Sequence, residues 1–136
     1  MIIIHTTNLS IELKNNLNDF ILQSFEKSRI DDYTYFIYCK NYGIIIGFVG
    51  LYYINNYLSI NQLCVHPNHR NKGVATSILN FIRKIYNKSH LILYIDKNKS
   101  STNYLHDFYL KYGFKDMNDI KNLSFNEDNE YLMELY

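Results

Sequence analysis

The sequence predicts an α/β fold of the α+β kind: a mixed, mostly antiparallel central sheet of six to seven strands flanked by about four helices. Three observations predict it. Residues 33–65 hold three β-prone runs separated by two tight turns, as in an antiparallel meander. An apolar helical pattern then leads to Leu91–Ile95, a short continuous apolar run of the kind found in strands covered on both faces. Two further β-prone runs close the chain, starting at Phe114 and at Tyr131.

The elements follow in order. Met1 to Thr6 is a short apolar run and a first strand. Ser10 is a good helix N-cap, and Leu13, Leu17, Phe20, Ile21 and Phe25 then recur at spacings of three and four. That helical stretch breaks before Asp31. Tyr33 to Cys39 is aromatic and β-prone, Asn41-Tyr-Gly43 is a turn, and Ile44 to Ile54 is a long strand. Asn55-Asn56 turns the chain into Tyr57–Val65, and Pro67 ends that strand because proline cannot donate to a ladder. Val74, Ile78, Phe81, Ile82 and Ile85 keep helical spacing. Ser100 or Ser101 can cap a last helix carrying Leu105, Phe108, Tyr109 and Tyr112, and Gly113 can stop it. The order is β-α-β-β-β-α-β-α-β-β.

Bulk properties bound the function. A chain of 136 residues, 47% hydrophobic and 16% aromatic, suits one domain over 1–136 with a real core. The formal charge of +1 argues against a general nucleic-acid binder. No apolar run approaches the roughly 18 residues that span a bilayer. The start, MIIIHTTNLS, lacks the basic segment and apolar core of a signal peptide, so a cytoplasmic location is expected. Cys39 and Cys64 are too few for a zinc pattern or a disulfide framework, and both lie in apolar runs that predict buried free thiols. No metal is expected.

The run HPNHRNKGVA, residues 66–75, concentrates breakers and cations between a strand and a helix. The first turn of a helix has N–H groups without internal partners, and the helix dipole adds partial positive charge. Phosphates bind such ends. Gly73 lets backbone approach a ligand, Ala75 is small, Arg70 can add charge-assisted hydrogen bonds, and Lys72 adds a less directional charge. Taken alone, the run reads more readily as a solvated strand-to-helix turn than as a ligand site.

The longer run QLCVHPNHRNKGVATSILNFI resembles the coenzyme A motif of the GNAT superfamily of N-acetyltransferases. That pattern is an apolar strand ending L-x-V-x-P, then R-x-x-G-[VI]-[GA], then an amphipathic helix. Leu63, Val65, Pro67, Arg70, Gly73, Val74 and Ala75 fit it position by position. FYLKYGF, Phe108 to Phe114, is similar to the family's F-Y-x-K-x-G-F signature. The resemblance implies transfer of an acetyl group from acetyl-coenzyme A to a primary amine of a small molecule or protein, by direct attack in a ternary complex. It implies that two central strands splay apart around the pantetheine arm, whose amides pair with backbone at Leu63, Cys64 and Val65. The N–H of Val65 then polarises the thioester carbonyl. The N–H groups of Asn71, Lys72, Gly73, Val74 and Ala75, with the Arg70 side chain, hold the pyrophosphate. Tyr109 is implied as the acid that protonates the leaving thiolate. Read without the family, Tyr109 is a core aromatic.

The sequence departs from the family in two places. The strand YLSINQLCV carries Ser59, Asn61 and Gln62 where many members have a glutamate base. Water held by Ser59 or Asn61, or the carboxylate of Asp96, are the substitutes. Histidine is a residue type suited to base chemistry, but His66 and His69 belong to the phosphate-side loop and are read as exposed loop residues. The family's asparagine seven residues before the tyrosine is Thr102 here, so Asn103 or Asn98 is expected to take its place toward the cofactor.

Acceptor recognition in the family comes from the first helices and the loop joining the last two strands. Glu26, Asp31, Asp32, Tyr33, Tyr35, Glu127, Asp128 and Glu130 lie there, and they suit a cationic amine. Strand 44–54 and the C-terminal strand can pair across a homodimer. Nucleic acid and membrane partners are not expected. Two rival classes stand beside this reading. One is a GNAT-like module that binds acetyl-coenzyme A without catalysis. The other is an unrelated α/β domain binding some other anion.

Overall fold

The computed structural model describes residues 1–99, 102–117 and 129–136. Its elements are β1 (Ile2–Thr6), α1 (Ile11–Leu22), β2 (Tyr35–Asn41), β3 (Ile44–Ile54), β4 (Tyr57–Val65), α2 (Val74–Ile85), β5 (His90–Asp96), α3 (Thr102–Tyr112), β6 (Lys115–Asp116) and β7 (Glu130–Leu135). The strands form one sheet in the order β1-β2-β3-β4-β5-β7-β6. Neighbours β1–β2, β2–β3, β5–β7 and β6–β7 run antiparallel, and β4–β5 run parallel. The sheet is therefore mixed, as expected, with α2 as the crossover between the parallel pair.

Local chemistry explains the tight turns. Tyr42 and Gly43 have φ of 49° and 78°, and Asn55 and Asn56 have 47° and 71°. Two successive left-handed residues make the turn whose twist matches a two-residue hairpin, and Asn and Gly tolerate that conformation best. α1 starts where Ser10 predicts, with Ser10 Oγ accepting from the Leu13 N–H at 3.1 Å. The proposed serine cap of α3 lies outside the described residues.

The helix count is lower than expected. The described residues contain three α-helices, not about four. After α1 the chain makes only a single 3-10 turn at Ile30–Asp32. Ser28 spends its hydroxyl on Asn18 Oδ1 at 2.5 Å and also accepts from the Ile30 N–H at 3.4 Å. Such local side-chain bonds compete with continued helix.

The chain forms two compact units, Met1–Tyr52 with Ile60–Asn87, and Tyr53–Ser59 with Lys88–Tyr136. In the first, the buried face of α1 (Leu17, Phe20, Ile21) packs with Ile30, Tyr33, Phe36, Tyr38, Phe48 and Cys64. The buried side of α2, Val74, Ile78, Leu79 and Ile82, follows the predicted helical period. A Cβ on Gly47 would stand 2.9 Å from Ile78 Cδ1 and 3.1 Å from Val74 Cγ1, so the missing side chain lets α2 approach β3 closely. Gly50 plays the same part for Tyr33, whose ring occupies the space where a Cβ on Gly50 would sit. In the second unit, Ile92, Met117 and Leu132 form a core with Ile54, Tyr57 and Tyr94 packed on it. Leu91, Ile92, Leu93 and Ile95 of β5 are all buried, which accounts for the continuous apolar run there.

Candidate functional site

The turn after β4 is built from short-range bonds. The His66 N–H donates to Ile46 O at 2.8 Å, anchoring the end of β4 to β3. Pro67 opens a 3-10 turn over Pro67–His69, and His66 Nδ1 caps it by accepting from the Asn68 N–H at 3.1 Å. Asn71 and Gly73 then adopt φ of 61° and 82°, and α2 begins at Val74. No side chain caps α2 and its first turn carries no acid. The leading N–H groups of the helix therefore have neither an intrahelical partner nor an N-cap side chain to accept from them.

Arg70 folds back over this turn. Its Nε donates to Val65 O at 3.1 Å, and Nη2 lies 3.4 Å from Ser24 Oγ. A guanidinium carries five N–H donors, so these bonds do not exhaust it. They hold the guanidinium between the end of β4 and Ser24. Asn71, Lys72 and Gly73 are exposed, Ala75 is half-buried, and Val74 is buried. Val74 can thus offer a ligand its backbone and not its side chain. A Cβ on Gly73 would meet no atom within 4 Å. Glycine there is demanded by the left-handed φ and not by crowding within the chain.

On β4, Leu63 and Val65 are half-buried and Cys64 is buried. Burial pushes the Cys64 thiol up to about 12, against a smaller lowering by Arg70, and burial pushes Cys39 up to about 11. Both cysteines are free, as expected. Because the thiolate is the reactive species, neither thiol should react below about pH 10. In the folded protein an aromatic disulfide reagent at pH 8 is expected to label neither cysteine within minutes and both after denaturation. Rapid labelling of the folded protein would contradict this burial.

Tyr109 lies on α3 and is 7% exposed, packed between Phe108 (ring centroids 5.2 Å apart) and Phe114 (5.4 Å). The helix ends as Gly113 predicts: Gly113 takes φ of 125° and the Phe114 N–H donates to Tyr109 O at 2.9 Å. That cap fixes the helix end just beyond the tyrosine. Asn103 is exposed in the first turn of α3, six residues before Tyr109. Thr102, seven residues before Tyr109, is the first residue of α3. Asn98 is engaged elsewhere, its Nδ2 lying 3.4 Å from Asn129 Oδ1.

Several candidates acquire structural explanations. Asp96 Oδ1 accepts from the Asn98 N–H at 2.8 Å, so Asp96 closes the turn after β5. His66 and His69 are half-buried rather than exposed, and their rings meet edge-on at 5.3 Å. His69 Nδ1 is buried and has no hydrogen-bond partner among the described residues. Ser59 is fully buried, and Asn61 Nδ2 donates to Gly50 O at 3.4 Å. On the acceptor side, Glu26, Asp31 and Asp32 are exposed, with Asp31 paired to Lys14. Tyr35 and Glu130 are half-buried. Glu127 and Asp128 lie outside the described residues. Tyr33 is a core residue, 7% exposed, and burial raises its hydroxyl pKa well above the usual phenolic value.

The partner of the Tyr33 hydroxyl is Gln62, at 2.7 Å. Gln62 also accepts from the Arg29 N–H and donates to Lys27 O. Its role was missed in the sequence because a single polar residue in an apolar strand carries no signal of what it will touch. Among the described residues no group of His, Cys, Asp and Glu side chains is placed to hold a metal ion. No described helix is long and apolar enough to cross a membrane.

Comparison with known proteins agrees with this architecture. The family model of the acetyltransferase (GNAT) domain matches residues 31–116, more than half of the chain. An uncharacterized N-acetyltransferase from Bacillus methanolicus is 37% identical over 49 residues, which is 35% of this chain and 41% of that relative's length. An aminoglycoside 6'-N-acetyltransferase complexed with coenzyme A is similar in structure, with a TM-score of 0.73 at 16% identity over 99% of this chain and 96% of the other. Arabidopsis thaliana Naa50, in complex with the bisubstrate analogue CoA-Ac-MVNAL, gives a TM-score of 0.74 at 15% identity over 98% of both chains. With the family model spanning the β4 turn, α2 and α3, the chain belongs to the GNAT family of acetyltransferases.

Proposed function

We propose that the protein transfers an acetyl group from acetyl-coenzyme A to the primary amine of a small molecule or protein, by direct attack in a ternary complex. The observation that carries this reading is the uncapped start of α2, preceded by left-handed Asn71 and Gly73 and flanked by the fixed guanidinium of Arg70. Successive backbone N–H groups in this conformation make a concave donor site for an anion. Asn71, Lys72, Gly73, Val74 and Ala75 would hold the pyrophosphate through backbone, with Arg70 adding a charge-assisted bond.

β4 supplies the second part. Its parallel register with β5 covers Tyr57, Leu58 and Ser59, and Ile60–Val65 continues past the last rung. Leu63, Cys64 and Val65 offer extended backbone there, with Cys64 turned into the core. Such backbone suits the amides of a pantetheine arm, and the Val65 N–H suits the thioester carbonyl. By the family resemblance, Asn103, exposed at the start of α3, would add a further cofactor contact.

Acetyl-coenzyme A supplies the acyl group and leaves as a thiol. The chain must manage two protons. A lysine-like amine with a pKa of ~10.4 is neutral in only about one molecule in a few thousand at pH 7, so deprotonation is part of the work. β4 carries no acid, and the carboxylate of Asp96 serves its own turn. Water beside Asn61 or Ser59 is the remaining route for the amine proton. Tyr109 gives its proton to the leaving sulfur. The similar proteins bear names or bound analogues that point to an aminoglycoside and to a peptide. Both acceptor classes suit the exposed acids Glu26, Asp31 and Asp32, and either fits a cytoplasmic enzyme.

Thermal denaturation with coenzyme A tests the donor site. At 100 times its dissociation constant, the ligand adds ~2.7 kcal/mol and raises Tm on the order of 10 °C. Arg70→Ala is expected to weaken binding about tenfold and roughly halve that rise. Absence of any shift at millimolar coenzyme A defeats the reading. Release of free thiol on mixing acetyl-coenzyme A with a panel of amines then separates an enzyme from a module that only binds the cofactor.

A further inference from the structure

Gln62 has a backbone that its strand does not explain. It lies inside β4 yet has φ of 51°, the left-handed region. A residue other than glycine holds that conformation in a strand only when its surroundings over-determine it. The side chain shows what does so. Oε1 accepts from the Arg29 N–H at 2.9 Å and from the Tyr33 hydroxyl at 2.7 Å, and Nε2 donates to Lys27 O at 2.8 Å. Both acceptor positions of the amide oxygen are used. All three partners belong to Lys27–Tyr33, a segment whose only regular structure is the 3-10 turn at Ile30–Asp32.

The rest of the segment is fixed to the sheet at its far end. The Tyr33 ring lies over Gly50 and parallel to Tyr52, with an interplanar angle of 9°. The Thr34 N–H donates to Leu51 O at 2.9 Å. Ile30 is buried while Asp31 and Asp32 remain exposed. One amide side chain thus ties the start and the end of this segment to a single point on β4. That point immediately precedes Leu63, Cys64 and Val65.

We propose that Gln62 is a positioning residue that holds Lys27–Tyr33 as a preformed wall of the acceptor site, presenting its acids to a cationic amine. The proposal rests on the N-acetyltransferase reading above. Its physical basis is preorganisation: a wall already ordered costs little more to order when the acceptor arrives. Loss of the clamp should therefore raise the acceptor KM and leave kcat and donor binding nearly unchanged.

Gln62→Gly is the informative variant, because glycine accepts the left-handed φ and so preserves the β4 backbone while deleting the clamp. With the best acceptor from the amine panel, its acceptor KM should rise about tenfold, kcat should stay within about threefold, and coenzyme A affinity within about twofold. Tyr33→Phe removes one of the three bonds, leaves Gln62 intact and should raise the acceptor KM about threefold. It carries the test if the first variant does not fold. A lowered Tm with unchanged acceptor KM in the folded variants overturns the proposal, since a merely structural clamp behaves that way. So does a tenfold loss of coenzyme A affinity in Gln62→Gly. A wild-type protein that binds coenzyme A yet releases thiol with no amine overturns the transferase reading and the acceptor wall together.

Discussion

Tyr109→Phe is expected to lower turnover by roughly tenfold or more while acetyl-coenzyme A affinity stays within about twofold. A positioned proton donor contributes to the chemical step and little to ground-state binding. The change keeps the ring that packs between Phe108 and Phe114. The Phe114 N–H bond to Tyr109 O is made by backbone and survives. Loss of one hydroxyl costs stability on the order of 1 kcal/mol. Steady-state thiol release and coenzyme A titration on the same preparation read both quantities. Unchanged turnover in a folded variant removes Tyr109 from the mechanism and leaves it a core aromatic.

Gly50→Ala is expected to be the most destabilising single methyl that can be added to the first unit. The new Cβ overlaps the Tyr33 ring at three of its carbons. Tyr33 is 7% exposed and packs with Phe48 and Tyr52, so it has no empty space to enter. Expelling a large aromatic from a core costs about 3–5 kcal/mol, and Tm should fall on the order of 10 °C or more. In a Tyr33→Ala background, Gly50→Ala should cost little more, because the clash needs both side chains. A Gly50→Ala protein as stable as the wild type contradicts the packing described. The expelled ring also releases the Gln62 clamp, so any folded fraction should show a raised acceptor KM.

Legibility in the sequence followed the range of the interactions. The bounds of β3 and β4 match the sequence reading at both ends, because their turns are set by neighbouring Tyr42, Gly43, Asn55 and Asn56. Ser10, Pro67 and Gly113 act within one helical turn of themselves, and each does what its chemistry predicts. The helix count was less legible. Phe25 continues the apolar spacing, but α1 stops at Leu22, where Ser28 and Asn18 bond to each other across the fold-back. The family motif was readable in full, since Leu63, Val65, Pro67, Arg70, Gly73 and Ala75 lie within one short stretch of chain. The reason for Gly73 was only half readable. Spacing suggested room for a ligand, and the backbone angle shows a conformational demand.

The sequence by itself determined the element order, the hairpins, the mixed sheet and the donor-side motif. Each depends on residues close in the chain, whose periodicity and turn chemistry act locally. Only the tertiary structure decided that Tyr33 is buried and that Gln62 reaches back to Arg29 and Lys27. Those partners lie on separate strands and loops or depend on a backbone angle. They meet only when burial of the apolar faces brings the elements together, and no local pattern marks in advance which polar group will find which.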